Sequence, residues 1–511
     1  MINSIQHKSI WLFLALLCVV MQFVVPISGD EAYFISWGQT FEWGYYDHPP
    51  LPGWVSYVLQ RFDDLIGLQR HGAVHRLFSL MMAIIGLTLI AARQRRLGLN
   101  LRTQDTFLTL CVVPGFLILS NMYLNDSLLA FTALLFLLAV ETAFRAKRHV
   151  WVAVVLAAAA FDLVLLTKYN GALIYLGMVA GFLTWPLGRR FLFGRFFLIS
   201  VLALPVFLAH LWWNYQNCSV NLAFNFGFRS IHATGFGPLW VVLTILIMSG
   251  PLGFALIAQV IRRQTAHPVG LFTRIFFGVL GVMLAISVLR GEFGVNWGAP
   301  LGFLALLVLT EVSPQSSPIW SRRLGLLLTV LTLVPLTGVL LLLKLNWVQP
   351  QKFLPAEKAA LFNQHLDLVE PVFLEQLRPL TANRHVVTME YGVAAILENA
   401  GVSPVTVISK SVFGRNQDIE TDFAALNGRN MLLVPNGTTI SDEDIEGLFD
   451  SVSTVAINTD RQTYQVVLGQ GFRYEFYRDT WILPAISALY DQSRFPYSRC
   501  YMDKYRAVGA D

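Results

Sequence analysis

The chain has 511 residues, of which 55% are hydrophobic and only 14% charged, and its formal net charge is +5 at pH 7. Soluble globular proteins carry about 25% charged residues, so this composition excludes an ordinary soluble domain and indicates an integral membrane protein. We expect membrane lipids around the chain, and no nucleic-acid partner.

The first apolar run, residues 10–27, follows a short polar start that contains Lys8. Such a run is compatible with a cleaved signal peptide. No small-residue cleavage pattern precedes Asp30, however, and many apolar runs follow. We therefore interpret the run as a retained first span.

A membrane-spanning helix needs roughly 20 apolar residues, and several shorter runs here are interrupted or bordered by proline. Eleven candidate spans cover residues 10–27, 74–92, 107–119, 128–144, 151–166, 172–187, 196–213, 239–261, 272–289, 299–312 and 324–343. The sequence therefore predicts a polytopic α-helical membrane protein with about eleven transmembrane helices.

Arginine and lysine cluster after every even-numbered span. The basic loops are RQRRLGLNLR, RAKRH, GRRFLFGR, IRRQ and SRR, after spans two, four, six, eight and ten. Because basic loops stay in the cytoplasm, we expect a cytoplasmic N-terminus. The C-terminal tail then lies on the extracytoplasmic side, in the periplasm if the membrane is the inner membrane of a bacterium.

The tail from about residue 346 has ordinary soluble character. HVVTM, VTVIS, MLLVP and TYQVVLG are typical of strands, and YGVAAILENAG and SDEDIEGLF are typical of helices. We predict a transmembrane domain over residues 1–345, a helical connector over 346–383 and a small extracytoplasmic α/β domain over 384–511.

Four cysteines are present, with no CxxC or other metal-type spacing. Cys18 and Cys111 lie in apolar runs and are typical of small buried residues. Cys218 and Cys500 lie in polar segments that the predicted topology places on one side of the membrane. A disulfide between them and two free thiols both remain open.

Carboxylates, cations and aromatic residues collect in the loops that this topology places outside the cytoplasm. They include Asp30, Glu31, Asp47, His48, Asp126, Lys168, Arg229, His232, Arg290, Glu292 and Asn296. Orientation alone explains the basic cytoplasmic loops, but it does not explain this mixture. The mixture predicts a binding or catalytic site at one face of the membrane.

The stretch DEAYFISWGQTFEWGYYDHPPLPGW begins a loop of about 45 residues, which is too long for a simple connector. A short amphipathic helix on the membrane surface would fit its first part. Its aromatic residues are either interfacial anchors or groups that stack on a sugar and shape a substrate site. They are Trp37, Trp43, Tyr45, Tyr46 and Trp54.

The acidic pair Asp30–Glu31 opens this loop directly beyond a span. An Asp there can cap a helix, and a Glu favours the first helical turn. A carboxylate at the mouth of a bundle can equally act as a general base toward a hydroxyl. The two prolines after Asp47 and His48 fix the backbone there, and His48 could donate to an anion, bind a metal or do neither.

Lys168 lies between two apolar spans, where an ammonium is costly unless it faces water or an anion. It either contacts a phosphate or extends to the interface. Arg229 offers a bidentate fork for phosphate. One ligand would unite these groups, namely an amphiphile with an apolar tail, a phosphate and a sugar.

These residues also carry a resemblance to a known family. SGDEAYFISWGQTFEWGYYDHPPLPGW resembles the first extracytoplasmic loop of the bacterial polyprenyl-phosphate-sugar-dependent glycosyltransferases of the GT-C superfamily, relatives of the dolichyl-phosphate-mannose protein mannosyltransferases and the aminoarabinose-lipid A transferases. Matches follow in order at LNDSLLAF, LLTKYNGALI, LWWNYQNCSVNLAFNFGFR and GEFGVNWGAP.

The resemblance implies a GT-C fold and roles for individual residues. Asp30 matches the catalytic acidic position, and Asp126 a second acidic position. Lys168 matches a cationic donor-phosphate position. His48 and Asp47 depart from the lysine and the metal-linked glutamate of the relatives. The remaining site candidates are Glu31 for catalysis and Tyr169, Arg229 and Asn296 for substrate binding.

The reaction implied is transfer of a sugar from a polyprenyl phosphate to a lipid, glycan or protein acceptor, with inversion at the anomeric carbon. It requires no nucleotide and no cofactor; a divalent metal is compatible but has no support in the sequence. Two rivals remain, a transporter or flippase for a lipid-linked sugar and a non-catalytic scaffold.

Overall fold

The structure is a computed structural model of the full chain. It describes residues 2–67, 71–98, 103–227, 237–263, 270–290, 293–312, 319–410, 416–488 and 495–506. The chain divides into two compact units. The first comprises Met1–Phe23, His75–His210 and His232–Thr337, and the second comprises Val24–Val74, Leu211–Ile231 and Gly338–Asp511. The predicted domain limits near residues 345 and 383 stay a prediction.

Seventeen α-helices precede the tail in the described part of the chain. They are α1 (Ile2–Val24), α2 (Gly29–Ser36), α3 (Leu51–Ile66), α4 (His71–Arg96), α5 (Thr103–Cys111), α6 (Pro114–Asn121), α7 (Asn125–Arg145), α8 (Val150–Thr167), α9 (Ala172–Leu183), α10 (Pro186–Phe191), α11 (Phe197–Gln216), α12 (Val220–Leu222), α13 (Gly237–Met248), α14 (Pro251–Arg263), α15 (Leu271–Arg290), α16 (Leu301–Val312) and α17 (Ile319–Lys344).

The chain is a multi-pass membrane protein. Within the described ranges, seven helices are long and apolar enough to cross a membrane, or up to nine if each of two bent helix pairs is one span. The predicted number of eleven is not confirmed. The expected third span is divided at Pro114 into two helices of nine and eight residues, because Val113 takes the extended backbone that precedes proline.

The expected eighth span is also broken. Helices α13 and α14 meet at an angle of 107°. Gly250 adopts a positive φ of 62° between them, and Pro251 then begins α14. A positive φ suits glycine because it has no Cβ, so this local sequence makes the bend.

Helix α7 is fixed at its C-terminal end by a buried ion pair. Arg93 of α4 donates to both carboxylate oxygens of Glu141, at 2.6 and 2.9 Å, and to Thr310 Oγ1 of α16 at 2.8 Å. Arg145 also donates to Glu141, at 2.9 Å. A bidentate pair of this kind is geometrically specific, so it sets the register of α7 against α4 and α16 and thereby the position of the residues at the other end of α7.

The tail continues with eight α-helices and five strands among its described residues. The helices are α18 (Ala356–Asp367), α19 (Pro371–Leu377), α20 (Tyr391–Asn399), α21 (Asn416–Glu420), α22 (Asp442–Ile445), α23 (Tyr474–Tyr477), α24 (Leu483–Ile486) and α25 (Asp503–Arg506). The strands are β1 (His385–Thr388), β2 (Val405–Val407), β3 (Met431–Val434), β4 (Phe449–Asn458) and β5 (Thr463–Phe472).

The strands form one sheet in the order β2-β1-β3-β5-β4. Strand β1 pairs in parallel with β2 and β3, whereas β5 pairs antiparallel with β3 and β4. The predicted small C-terminal α/β domain is thus confirmed. Strand β4 was not predicted, because most of its side chains are exposed and the segment lacks a clear apolar pattern.

Two loop segments that interrupt the membrane helices belong to the second unit. Tyr46 and Cys218 lie in the same buried cluster as Val387 and Leu433 of the sheet. Cys218 forms a disulfide with Cys500, which resolves the alternative that the sequence left open. These loops therefore fold as part of the same compact unit as the tail.

Candidate functional site

The first unit brings three predicted site residues into direct contact. Lys168 Nζ donates to Asp126 Oδ1 at 2.8 Å, and Asn296 Nδ2 donates to Asp126 Oδ2 at 3.2 Å. Asp126 is 8% exposed and Lys168 is 7% exposed. A buried ammonium, a carboxylate and an amide thus share one site, although they are up to 170 residues apart in sequence.

Local structure explains how each of these side chains reaches the site. Asp126 lies in the first turn of α7, where the helix dipole favours a negative charge. Lys168 follows the last residue of α8 in an extended conformation. Asn296 belongs to a 3-10 turn, Val295–Gly298, just before α16. The cluster is therefore built from one end each of α7, α8 and α16.

Tyr169 makes a different contact from its neighbour Lys168. Its hydroxyl lies 2.7 Å from His210 Nε2 of α11, and His210 is fully buried. Asn125, beside Asp126, is buried, and neither its side-chain oxygen nor its nitrogen has a hydrogen-bond partner within the described residues. No local pattern in the sequence indicates His210, which lies inside an apolar run.

The second unit holds Asp30 and Glu31 at the start of α2. The helix is capped by Ser28, whose Oγ accepts a hydrogen bond from Glu31 N at 3.1 Å. Asp30 is therefore not the N-cap, one of the two predicted alternatives. Asp30 is exposed and Glu31 is fully buried, so only the Asp30 side chain is open to a substrate.

Asp30 has a partner from the tail that the sequence did not indicate. The Tyr391 hydroxyl donates to Asp30 Oδ1 at 2.7 Å. The ring of Tyr391 packs on Tyr33 with 4.8 Å between centroids, and the Tyr33 hydroxyl donates to Asp47 Oδ1 at 3.4 Å. Two predicted carboxylates are thus held by neighbouring tyrosines in one unit.

His48 is enclosed by protein. It is 6% exposed, its ring lies 5.6 Å from each of the rings of Phe34 and Trp37, and its Nδ1 is 3.3 Å from Asp47 Oδ1. That contact does not have hydrogen-bond geometry, because Nδ1 has no hydrogen-bond partner among the described residues. Neighbouring side chains therefore cover most of the His48 ring.

The aromatic residues of this loop divide into two groups. Trp37, Tyr45 and Tyr46 are at most 2% exposed, and Trp37 stacks on Tyr45 with 4.7 Å between centroids. Neither predicted alternative, an interfacial anchor or a ring that stacks on a sugar, fits these three, because both need an exposed ring and these rings pack inside the second unit. Trp43 remains exposed, so an anchoring role fits it.

Asparagine side chains hold the turn that carries Asp47 and His48. Asn221 donates to the Tyr45 carbonyl at 2.9 Å, and Asn225 donates to the Asp47 carbonyl at 2.7 Å. Asn416 of the tail accepts from the Tyr46 amide at 3.0 Å. The turn is therefore fixed through its backbone, independently of the contacts that the Asp47 carboxylate makes with Tyr33 and His48.

The polar residues singled out in the sequence fall into three groups. Arg229, His232 and Glu292 lie outside the described residues. Asp126, Lys168, Tyr169 and Asn296 belong to the first unit, and Asp30, Glu31, Asp47 and His48 belong to the second. Among the described residues, no group of three or more His, Cys, Asp or Glu side chains could hold a metal ion.

Comparison with known proteins gives a consistent result. A family model described as dolichyl-phosphate-mannose-protein mannosyltransferase matches residues 47–213. Lipid A galacturonosyltransferase RgtD from Rhizobium johnstonii is 29% identical over 190 residues, which are 37% of this chain and 38% of that protein. The match therefore spans well under half of the curated relative.

Two crystal structures of ArnT from Cupriavidus metallidurans, one in the apo state and one bound to undecaprenyl phosphate, share the fold. Each superposes with a TM-score of 0.51 over 90% of this chain and 98% of that chain, at 16% and 17% identity. The ArnT-like fold is thus shown, and the resemblance to GT-C glycosyltransferases of the ArnT and protein-mannosyltransferase type is confirmed.

Proposed function

We propose, from this resemblance, that the chain transfers a sugar from a polyprenyl-phosphate donor to a cell-envelope acceptor at the periplasmic face of a bacterial inner membrane. The acceptor is a lipid, a glycan or a protein. The proposal is supported by the ArnT structure that binds undecaprenyl phosphate, and by the RgtD match, whose name gives lipid A as the acceptor of that relative.

The observation that carries the proposal is the contact of Lys168 with Asp126 and Asn296. A buried lysine at the end of an apolar helix is costly unless an anion accompanies it. Asp126 supplies that anion at 2.8 Å, and Asn296 adds an amide donor to the same carboxylate. The arrangement keeps a cation oriented in a site of low exposure, where it can recognise a phosphate by exchanging one anionic partner for another.

In the proposed reaction, the acceptor hydroxyl attacks the anomeric carbon of the donor sugar. Its proton passes to the Asp30 carboxylate as the new C–O bond forms. The bond between the anomeric carbon and the phosphate oxygen breaks on the opposite face, so the configuration inverts. The electron pair leaves with the lipid phosphate, and the resemblance assigns the stabilisation of its growing charge to Lys168, with help from Arg229 or His48.

The remaining site residues have supporting roles in this proposal. Asp126 is the second acidic residue of the scheme, whereas the predicted catalytic residue Glu31 is fully buried and does not contact the substrate; Asp47, Tyr169 and Asn296 bind the substrate through hydrogen bonds. No nucleotide and no metal takes part in the scheme. The disulfide between Cys218 and Cys500 supports the extracytoplasmic placement of the second unit, because disulfides persist in oxidising compartments.

The proposal is tested by reconstituting the purified chain in proteoliposomes with a panel of undecaprenyl-phosphate sugars and an envelope lipid extract. We expect release of undecaprenyl phosphate together with a mass increase of one sugar on an acceptor lipid or glycan. Movement of the intact donor between leaflets without any sugar transfer would instead support a flippase. Mass spectrometry of envelope glycans from cells with and without the gene identifies the acceptor.

A further inference from the structure

The contact between Asp30 and Tyr391 joins the start of α2 to the start of α20 across 361 residues of sequence. Asp30 Oδ1 accepts the Tyr391 hydroxyl, whereas Oδ2 accepts no hydrogen bond from any described residue. Because Asp30 is exposed, Oδ2 is the oxygen that an incoming hydroxyl can reach. The two oxygens of one carboxylate are therefore distinguished by the protein.

The position of Tyr391 is strongly constrained. It follows β1 and begins α20, whose N-cap Glu390 accepts a hydrogen bond from Val393 N at 2.9 Å. The neighbouring Gly392 packs directly against Gly29, since a Cβ added to either glycine would lie 3.0 Å from the Cα of the other. The phenol is half-buried, and the close glycine contact fixes the backbone that carries it.

Two further contacts hold α20 against α2. Asn399, at the last turn of α20, donates to the Ala32 carbonyl at 3.1 Å, and the Tyr391 ring rests on Tyr33. The pKa of the Tyr391 phenol is raised by burial and by the Asp30 carboxylate. The phenol therefore stays protonated and acts only as a donor to Asp30.

We propose that Tyr391 of the C-terminal α/β domain is a positioning residue for the general base Asp30. It holds Oδ1 so that Oδ2 faces the acceptor hydroxyl, which makes the domain a functional part of the transferase. The inference rests on the proposed function. The hydrogen bond that Tyr391 donates stabilises the charged form of the Asp30 carboxylate. Glu390 and Asp47 also face Tyr391, and the hydrogen bond counteracts the effect of their negative charges.

The experiment compares Tyr391→Phe with a matched control, Tyr464→Phe. Tyr464 donates to Asp367 Oδ2 at 2.7 Å, so both substitutions remove a tyrosine–aspartate hydrogen bond of the same length from the same unit. Sugar transfer is measured from pH 4 to 9 with the wild-type chain, with both variants and with Asp30→Asn. Binding of undecaprenyl phosphate is measured for all four proteins.

We expect Tyr391→Phe to lower kcat roughly tenfold, the scale of a hydrogen bond to a charged group, with KM and lipid-phosphate binding unchanged. The acid limb of its pH–rate profile should move to higher pH, because the carboxylate loses a donor that favours its charged form. Tyr464→Phe should leave the pH–rate profile unchanged. A profile and kcat equal to wild type for Tyr391→Phe would overturn the positioning role.

The outcome with Asp30→Asn separates this inference from the proposed function. If Asp30→Asn is inactive and Tyr391→Phe is unchanged, only the positioning role fails. If Asp30→Asn retains full transfer activity, the assignment of Asp30 as the base fails as well. If the wild-type chain transfers no sugar from any donor tested, the proposed function itself is rejected.

Discussion

At the scale of single residues, the main result is that two predicted site residues neutralise each other. Lys168 and Asp126 each place a charge beside an apolar span, where an isolated charge is costly. Their 2.8 Å contact explains how the fold tolerates both charges. It also means that a substitution at either position affects stability as well as ligand binding.

The stability effect gives a testable prediction for this pair. We expect Lys168→Met to destabilise the protein by about 3 kcal/mol, because removing one partner leaves the other charge buried and unpaired. The double variant Asp126→Asn/Lys168→Met should recover most of that loss. Thermal unfolding in detergent measures both effects, and binding of undecaprenyl phosphate should stay weak in both variants.

Recovery of binding together with stability would contradict the phosphate role of Lys168. Arg93→Met is a suitable comparison, because it breaks another buried ion pair of the first unit, with Glu141. It should lower stability without a specific effect on phosphate affinity.

Asp30 gives the second prediction at this scale. Asp30→Asn keeps the shape of the side chain and can still accept a hydrogen bond from Tyr391, so folding and donor binding should persist. Turnover should fall roughly a hundredfold or more, the scale of general-base catalysis. Initial-rate measurements with saturating donor test this, and a rate within a fewfold of wild type would exclude Asp30 as the base.

At the scale of elements, α20 joins two roles. Its first residue contacts Asp30, and its last turn carries Glu398, a half-buried carboxyl near Glu420. Burial and the Glu420 charge raise the pKa of Glu398 from 4.5 to about 7. Burial likewise raises the pKa of Glu420. These carboxyls lie in the second unit, so its stability should depend on pH near neutrality.

The sign of this dependence follows from proton binding. The folded state holds the Glu398 proton more tightly than the unfolded state, so the stabilisation is complete below pH 4.5 and is lost as the pH rises through about 7. Glu398→Gln should remove this pH-dependent loss of folding stability, which is on the order of 1–3 kcal/mol. Unfolding of the wild type and the variant at pH 5 and pH 8 provides the measurement.

The expected pattern is a smaller difference between the two pH values in the variant than in the wild type. Glu357→Gln is the control, because Glu357 lies in the first turn of α18 and is exposed. Equal pH dependence in wild type and Glu398→Gln would show that folding does not raise the pKa of Glu398.

At the scale of the whole molecule, the disulfide links a loop between membrane helices to the end of the tail. Cys218 and Cys500 are 282 residues apart in sequence. Cys218 N also donates to the Arg499 carbonyl at 2.8 Å, and Ser219 Oγ donates to the Pro496 carbonyl at 2.6 Å. The crosslink therefore belongs to a hydrogen-bonded contact between the two segments.

The disulfide predicts a specific labelling pattern. When the protein is alkylated without reduction and digested, the peptides of Cys218 and Cys500 should be recovered crosslinked, with label confined to Cys18 and Cys111. The double variant Cys218→Ser/Cys500→Ser should unfold more easily, by about 2–5 kcal/mol. Label on all four cysteines of the unreduced wild type would contradict both the bond and the oxidising location.

The sequence alone determined the membrane class, the small C-terminal α/β domain and the family resemblance. These three follow from composition, hydrophobic periodicity and local motifs, which are all properties of contiguous residues. It did not determine the number of spans, because a proline or a glycine within an apolar run is compatible with a continuous membrane helix as well as with the breaks found at Pro114 and Gly250. Strand β4 was missed for a related reason: its ten residues are defined by pairing with β5 rather than by their own apolar pattern.

Only the tertiary structure showed which polar residues meet. Lys168 and Asp126 form an ion pair, Tyr391 donates to Asp30, and Trp37 is buried instead of lying at a membrane surface. Each of these outcomes depends on contacts between segments distant in sequence. A local pattern specifies which side chains are available, whereas the partner of a charge or an aromatic ring is decided by the packing that brings distant backbones together.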